Sequence, residues 1–247
     1  MSQKAKTIKQ SINIKKNTIM NVTSAWIIFG VVALLSWIVQ ISLNSKFKKY
    51  SQIPLPNGMT GADVARKMLR DNGITNVTVQ ATNGFLTDHY NPTNHTVNLS
   101  ENVYNSCSIA AAAVAAHECG HAVQHAYGYA PLKMRSALVP IINFSAKFVS
   151  WILLGGMLML NTFPQVMLIG IVLFALTTLF SFVTLPVEIN ASQRALAWLN
   201  ETGITNYETH PQAEDALRSA AYTYVVAALS SLATLFYYIM IYSSRRD

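Results

Sequence analysis

Between Val22 and Leu43 the chain carries no charged residue, and three further runs, 144–160, 165–185 and 220–242, are interrupted by a single charge, Lys147. About 20 apolar residues are what a helix needs to cross a bilayer. Inside hydrocarbon only a helix or a closed barrel satisfies every backbone N–H and C=O. These runs therefore predict a mainly α, multi-pass membrane protein with about four transmembrane helices. Composition agrees, since only 12% of residues are charged against about 25% in soluble domains. The net charge of +7 comes from Lys and Arg residues that flank the apolar runs. That placement fits anionic lipid headgroups and excludes a nucleic-acid partner, which would call for one basic patch.

The expected order along the chain begins with a basic, flexible tail over 1–20, followed by a transmembrane helix over 21–43. The latter reads as an uncleaved anchor, because its apolar run is too long for a signal-peptide core and no small-x-small site follows. A linker with Pro54, Pro56 and Gly58 occupies 44–57. Residues 58–143 then turn polar enough for a small α+β domain. It opens on a capping box at Thr60–Asp63, with Val64, Ala65, Met68 and Leu69 on one helix face. Three short strands are expected, around 74–79, 85–90 and 95–99. Gly128, Pro131 and Pro140 should break the chain. A transmembrane hairpin over 144–186 turns at 161–164, a helix and loop fill 187–215, and the last transmembrane helix occupies 216–247.

Within the polar segment lies Val114-Ala115-Ala116-His117-Glu118-Cys119-Gly120-His121-Ala122-Val123, which contains H-E-x-x-H. The alanines before it favour a helix, capped by Ser100 or Ser106. Four residues of helix separate His117 from His121 by roughly 6 Å along the axis and about 40° around it. Their imidazoles then point the same way and suit one zinc ion, which takes neutral imidazoles and a carboxylate and leaves a position for water. Glu118 is placed to accept a proton from that water. An ordinary buried helix would instead have to bury Glu118 among apolar neighbours, which is costly for a carboxylate without a partner. Gly120 leaves room for a substrate or a neighbouring backbone. Cys107 and Cys119 should be free thiols, since twelve helical residues hold them about 18 Å apart.

A third protein ligand is required. His125 sits on the same helix eight residues past His117 and turns off the metal face. Glu188 is the better choice, because it follows an apolar run directly and the 161–164 turn returns the chain to the His117 side. An ionisable residue at a membrane boundary is functional by default; pairing of Glu188 with Arg194 is the structural alternative.

The strings Leu86-Thr87-Asp88-His89-Tyr90, Val97-Asn98-Leu99-Ser100, the zinc-helix motif, Thr184-Leu185-Pro186-Val187-Glu188 and Ala220-Ala221-Tyr222-Thr223-Tyr224-Val225 occur in that order. Together they resemble the YugP-like neutral zinc metallopeptidases of bacterial membranes, from about Tyr50 to the C-terminus. The chain is more distantly similar to the HtpX-like membrane gluzincins. In that group an Asp follows the third-ligand Glu by four residues, where this chain has Ser192. The resemblance implies a zincin-like domain and a zinc endopeptidase of the cell membrane with one Zn2+ on His117, His121 and Glu188. Glu118 would activate water, and His89, Tyr90, Tyr222 and Tyr224 are candidates for oxyanion or substrate contacts. The implied partners are a protein or peptide substrate, the lipid bilayer and other membrane proteins. Three rival readings are a catalytically silent scaffold that recruits partners, a metal-handling membrane protein, and a chaperone-like binder with incidental metal.

Overall fold

A computed structural model describes the backbone of residues 3–244 and the side chains of residues 26–244. The first helix, α1, runs without a break from Gln3 to Tyr50. The basic stretch expected as a flexible tail thus belongs to this helix from Gln3 on. No proline or glycine occurs before Gly30 to stop it. The expected linker also shrinks, because its first seven residues complete α1. What remains is pinned to the rest of the fold. Leu55 N–H donates to Cys107 O at 2.7 Å, and Ile109 N–H donates to Ile53 O at 3.0 Å.

Helix α2 (Gly61–Asp71) starts at the predicted capping box. Thr60 Oγ1 accepts from Asp63 N–H, and the Asp63 carboxylate accepts from Thr60 N–H, both at 3.1 Å. Strands β1 (Thr78–Thr82), β2 (His89–Asn91) and β3 (Thr96–Ser100) form one mixed sheet in the order β1-β3-β2. β3 is parallel to β1 and antiparallel to β2. The second strand is shorter than expected, beginning only at His89, because Leu86 adopts a left-handed backbone at φ 56°.

After the short α3 (Glu101–Tyr104) comes α4 (Ile109–Ala126), the helix with the H-E-x-x-H motif. Its cap is Ser108, whose side chain accepts from Ala111 N–H at 3.2 Å. Ser100 instead begins α3 without a side-chain cap, and Ser106 donates to Ser108 Oγ. α4 lies at the centre of the main hydrophobic core, packed by Val64 and Met68 of α2, Val97 and Leu99 of β3, and residues 195–217. Both cysteines are free; Cys107 lies just before α4 and Cys119 is buried within it.

Helix α5 (Ala130–Ala146) carries two residues expected to break the chain. Pro131 occupies its first turn, where a missing N–H costs nothing, and Pro140 lies inside it. The break comes later, at Lys147 and Phe148, where the axis bends by 48° into α6 (Val149–Leu158). The 144–160 run is therefore not one straight span. Ten residues of α6 cover about 15 Å, half the hydrocarbon thickness, so it makes a span only together with α5.

Helix α7 runs from Pro164 to Glu201 and α8 from His210 to Ser243. The boundary expected at Pro186 is absent, for α7 passes straight through that proline. Apolar spans tolerate proline because neighbouring helices satisfy the freed backbone groups. Among the described residues, three helices are long and apolar enough to cross a membrane (Trp26–Tyr50, Pro164–Glu201 and His210–Ser243), or four with the bent α5–α6 pair. Trp26, Ile27 and Trp37 project from α1 with 71%, 62% and 62% of their surface exposed, as side chains facing lipid do. Val149 and Leu153 of α6 pack on Met167 and Ile171 of α7.

Candidate metal centre

Five elements meet at the H-E-x-x-H motif. Helix α4 brings His117, Glu118 and His121 to one face. β2 reaches Glu118, α7 passes beside the two imidazoles, α5 brings Arg135, and α8 brings Tyr224. Contact between α4 and α7 requires a glycine. A Cβ on Gly120 would stand 2.6 Å from the carbonyl oxygen of Ala191. Gly120 thus admits a neighbouring backbone, the second of the two uses its position suggested.

That close approach brings Glu188, three residues before Ala191, onto the histidines. Candidate ligand atoms of His117, His121 and Glu188 lie within 4.8 Å of one another, and no other such group occurs among the described residues. Glu188 Oε2 is 3.2 Å from His117 Nε2 and 3.4 Å from His121 Nε2. The two rings stand nearly perpendicular, 4.8 Å apart. Glu188 lies 24 residues into α7, or about 36 Å along its axis. That is farther than a hydrocarbon layer of about 30 Å is thick.

The outer nitrogens of both rings are held. His117 Nδ1 is 3.0 Å from Ser192 Oγ, and His121 Nδ1 is 3.1 Å from Gln124 Oε1. Gln124 Nε2 donates to Val187 O at 2.8 Å and to Asn190 Oδ1 at 3.0 Å. Its carbonyl is therefore the end facing His121 and accepts from Nδ1–H, which leaves Nε2 as the nitrogen toward Glu188. Bonds of this kind at the outer nitrogen fix the tautomer and orientation of metal-binding imidazoles. Burial works against charge on His121, yet its hydrogen bond to Glu188 and the charges of Glu118 and Glu188 outweigh that and raise its pKa. The field that favours a proton there also favours a metal cation, so the donor set fits zinc.

Glu188 pairs with Arg135, not with Arg194. Arg135 Nη1 donates to Glu188 Oε1 at 3.0 Å, leaving Oε2 toward the imidazoles. Arg194 is engaged with Asn190. Glu118 is 8% exposed, and its Oε2 accepts the Tyr90 backbone N–H at 3.0 Å. Asp88 accepts from both the N–H and the hydroxyl of Ser100, at 2.7 and 3.1 Å. Burial nevertheless pushes the pKa of Asp88 up.

Two cavities meet at Glu118. A cleft of about 390 Å³ is bordered by His89, Tyr90, His125 and Arg135. An apolar cavity of about 170 Å³ extends between α1, α4 and α8. Both are lined by Asp88, His117, Glu118, Glu188 and Tyr224. Of the residues expected as substrate contacts, Tyr224 faces both spaces and His89 borders the cleft. Tyr90 contributes its backbone to Glu118, while its hydroxyl is 2.8 Å from His125 Nδ1. Tyr222 is 47% exposed and lines neither space. His125, as its position on α4 requires, stays out of the ligand cluster; its ring stacks on His95.

Sequence reasoning missed Arg135, Gln124 and Asp88. Gln124 carried a signal, being a polar residue three positions after His121 and so on the metal face of α4. Arg135 carried none, because nothing local distinguishes it from the other cations flanking the spans.

Two imidazoles and a carboxylate converging beside a buried glutamate, next to helices able to cross a bilayer, have the make-up of a membrane metallopeptidase centre. The chain belongs to the family described as "putative neutral zinc metallopeptidase", which it matches over residues 25–243. It is 41% identical over 225 residues to a Bacillus subtilis (strain 168) protein named "putative membrane protease YugP". That match covers 90% of this chain and 98% of the relative. No solved structure matches the chain.

Proposed function

We propose that this protein is a multi-pass, gluzincin-type zinc endopeptidase that cleaves membrane or membrane-associated proteins. The observation that carries the reading is the convergence of three acceptor atoms, His117 Nε2, His121 Nε2 and Glu188 Oε2, directly beside Glu118. His117, His121 and Glu188 would hold one zinc ion. When bound, zinc would polarise the scissile carbonyl and make water more acidic.

Glu118 accepts a proton from the attacking water and later delivers it to the leaving amine. The Tyr90 N–H holds one Glu118 oxygen and leaves the other for this transfer. Arg135 keeps Glu188 oriented, and Ser192 holds the outer nitrogen of His117. Tyr224 is the best placed hydrogen-bond donor for the developing oxyanion, with His89 at the cleft edge as the second candidate. The polar cleft and the neighbouring spans support a protein substrate that approaches along the bilayer.

The test is Glu118→Gln, which keeps the shape and both imidazoles. Purified in detergent, this variant should hold wild-type amounts of zinc and lose peptide cleavage. A zinc-loaded variant that still cleaves would refute the assignment. A wild-type protein that binds zinc and cleaves nothing would favour the scaffold reading.

A further inference from the structure

An apolar cavity stands beside the metal centre, and α8 lines it with alanine. Ala216 and Ala220 are one helical turn apart on the face that continues to Tyr224, and across the space stand Leu43 and Phe47 of α1. We propose, resting on the peptidase reading, that this cavity is the subsite that selects an apolar side chain of Leu, Met or Phe size beside the scissile bond.

Position supports this assignment. The cavity and the cleft share His117, Glu118 and Glu188, so a side chain in the cavity places its own backbone at Glu118. Size supports it too: the volume is about 170 Å³, and an apolar cavity of about 150 Å³ accepts a benzene ring. Asp215 of α8 takes Lys46 Nζ on one oxygen and the Tyr50 hydroxyl on the other, both at 2.7 Å, and so ties the end of α1 that carries Phe47 to α8. The walls narrow the choice further: Leu43, Phe47, Val114, Leu217 and Ala220 offer a charged side chain no partner. Because Leu43 and Ala220 belong to helices able to span a membrane, the selected residue should come from a substrate segment at the bilayer surface.

The experiment uses the full chain in detergent with zinc. The peptides differ only in the residue on either side of the cleaved bond: Ala, Leu, Phe, Trp or Lys. Ala220→Phe fills the cavity and Leu43→Ala enlarges it. On one side of the bond, the wild type should prefer Phe over Ala by at least about tenfold in kcat/KM, the scale of a pocket reading apolar bulk. Ala220→Phe should abolish that preference, and Leu43→Ala should extend it to Trp, with zinc content unchanged in both. Opposite shifts from filling and opening are not what general damage produces. Should Ala220→Phe lose zinc, Leu43→Ala decides alone. Glu118-dependent cleavage whose preference neither variant alters, or a preference for Lys, overturns the subsite and leaves the peptidase reading standing. A zinc-loaded wild type that cleaves nothing overturns both.

Discussion

Replacing Gly120 with alanine sets local helix preference against the contact between α4 and α7. Alanine is favoured over glycine within a helix by about 1 kcal/mol, so α4 alone would be stabilised. The new Cβ, however, would stand 2.6 Å from Ala191 O and 3.2 Å from Ala191 C and Cα, where ordinary contact begins at 3.4 Å. Its neighbour is backbone, which cannot swing aside. The helices must part by about 0.8 Å at this point, an overpacking that typically costs about 1–3 kcal/mol. The net effect is a loss of roughly 1 kcal/mol. More telling is what moves: Glu188 lies one turn from Ala191, and metal–ligand distances tolerate only about 0.2 Å. Zinc affinity should fall at least about tenfold, the scale seen when ligand support is disturbed. Chelator competition in detergent measures that affinity, and thermal unfolding with and without zinc measures the stability. Gly155→Ala is the control, since a Cβ there meets nothing within 4 Å, and it should leave both unchanged or raise stability. If Gly120→Ala kept wild-type zinc affinity and a higher Tm, helix preference would have won and the proposed role of the α4–α7 contact would be wrong.

Two further outcomes are expected. Glu188→Ala should lose most of its zinc, because two imidazoles bind far more weakly than a three-ligand site. His125→Ala should keep its zinc, and full zinc in the first with loss in the second would reverse the ligand assignment. Thr60→Ala should cost about 1 kcal/mol by removing the cap of α2. It should also change the acid limb of stability. Hydrogen bonds from Thr60 hold the Asp63 pKa below its ordinary value, so Asp63 stabilises the fold above its unfolded pKa of about 3.9 and loses that contribution as pH falls through the lower, folded value. The variant should show a shallower loss of stability below about pH 4 than wild type, measured by unfolding across pH; an identical slope would exclude the capping box as its source.

What the sequence determined by itself rests on short-range physics. Four residues of helix put His117 and His121 on one face whatever surrounds them, and runs such as 22–43 and 165–185 require a helix wherever they meet hydrocarbon. The start of α2 was legible for the same reason, because Thr60 and Asp63 satisfy each other within four residues. Glu188 could be chosen as a ligand because a carboxylate among apolar neighbours needs a partner, although its spacing from His117 contains no geometry. Tertiary structure decided what depends on contacts between distant segments. Arg135 pairs with Glu188 across 53 residues and Ser192 meets His117 across 75. Leu43 and Phe47, read as an anchor and its flank, wall a cavity at the metal centre. Pro140 and Pro186, breakers by local rule, lie inside helices. Local preferences of about 3 kcal/mol for a proline yield where packing between helices, here α5 on α7, favours a continuous helix. Only packing could show that Gly120 is needed for Ala191, since the clash that excludes a side chain there comes from another helix.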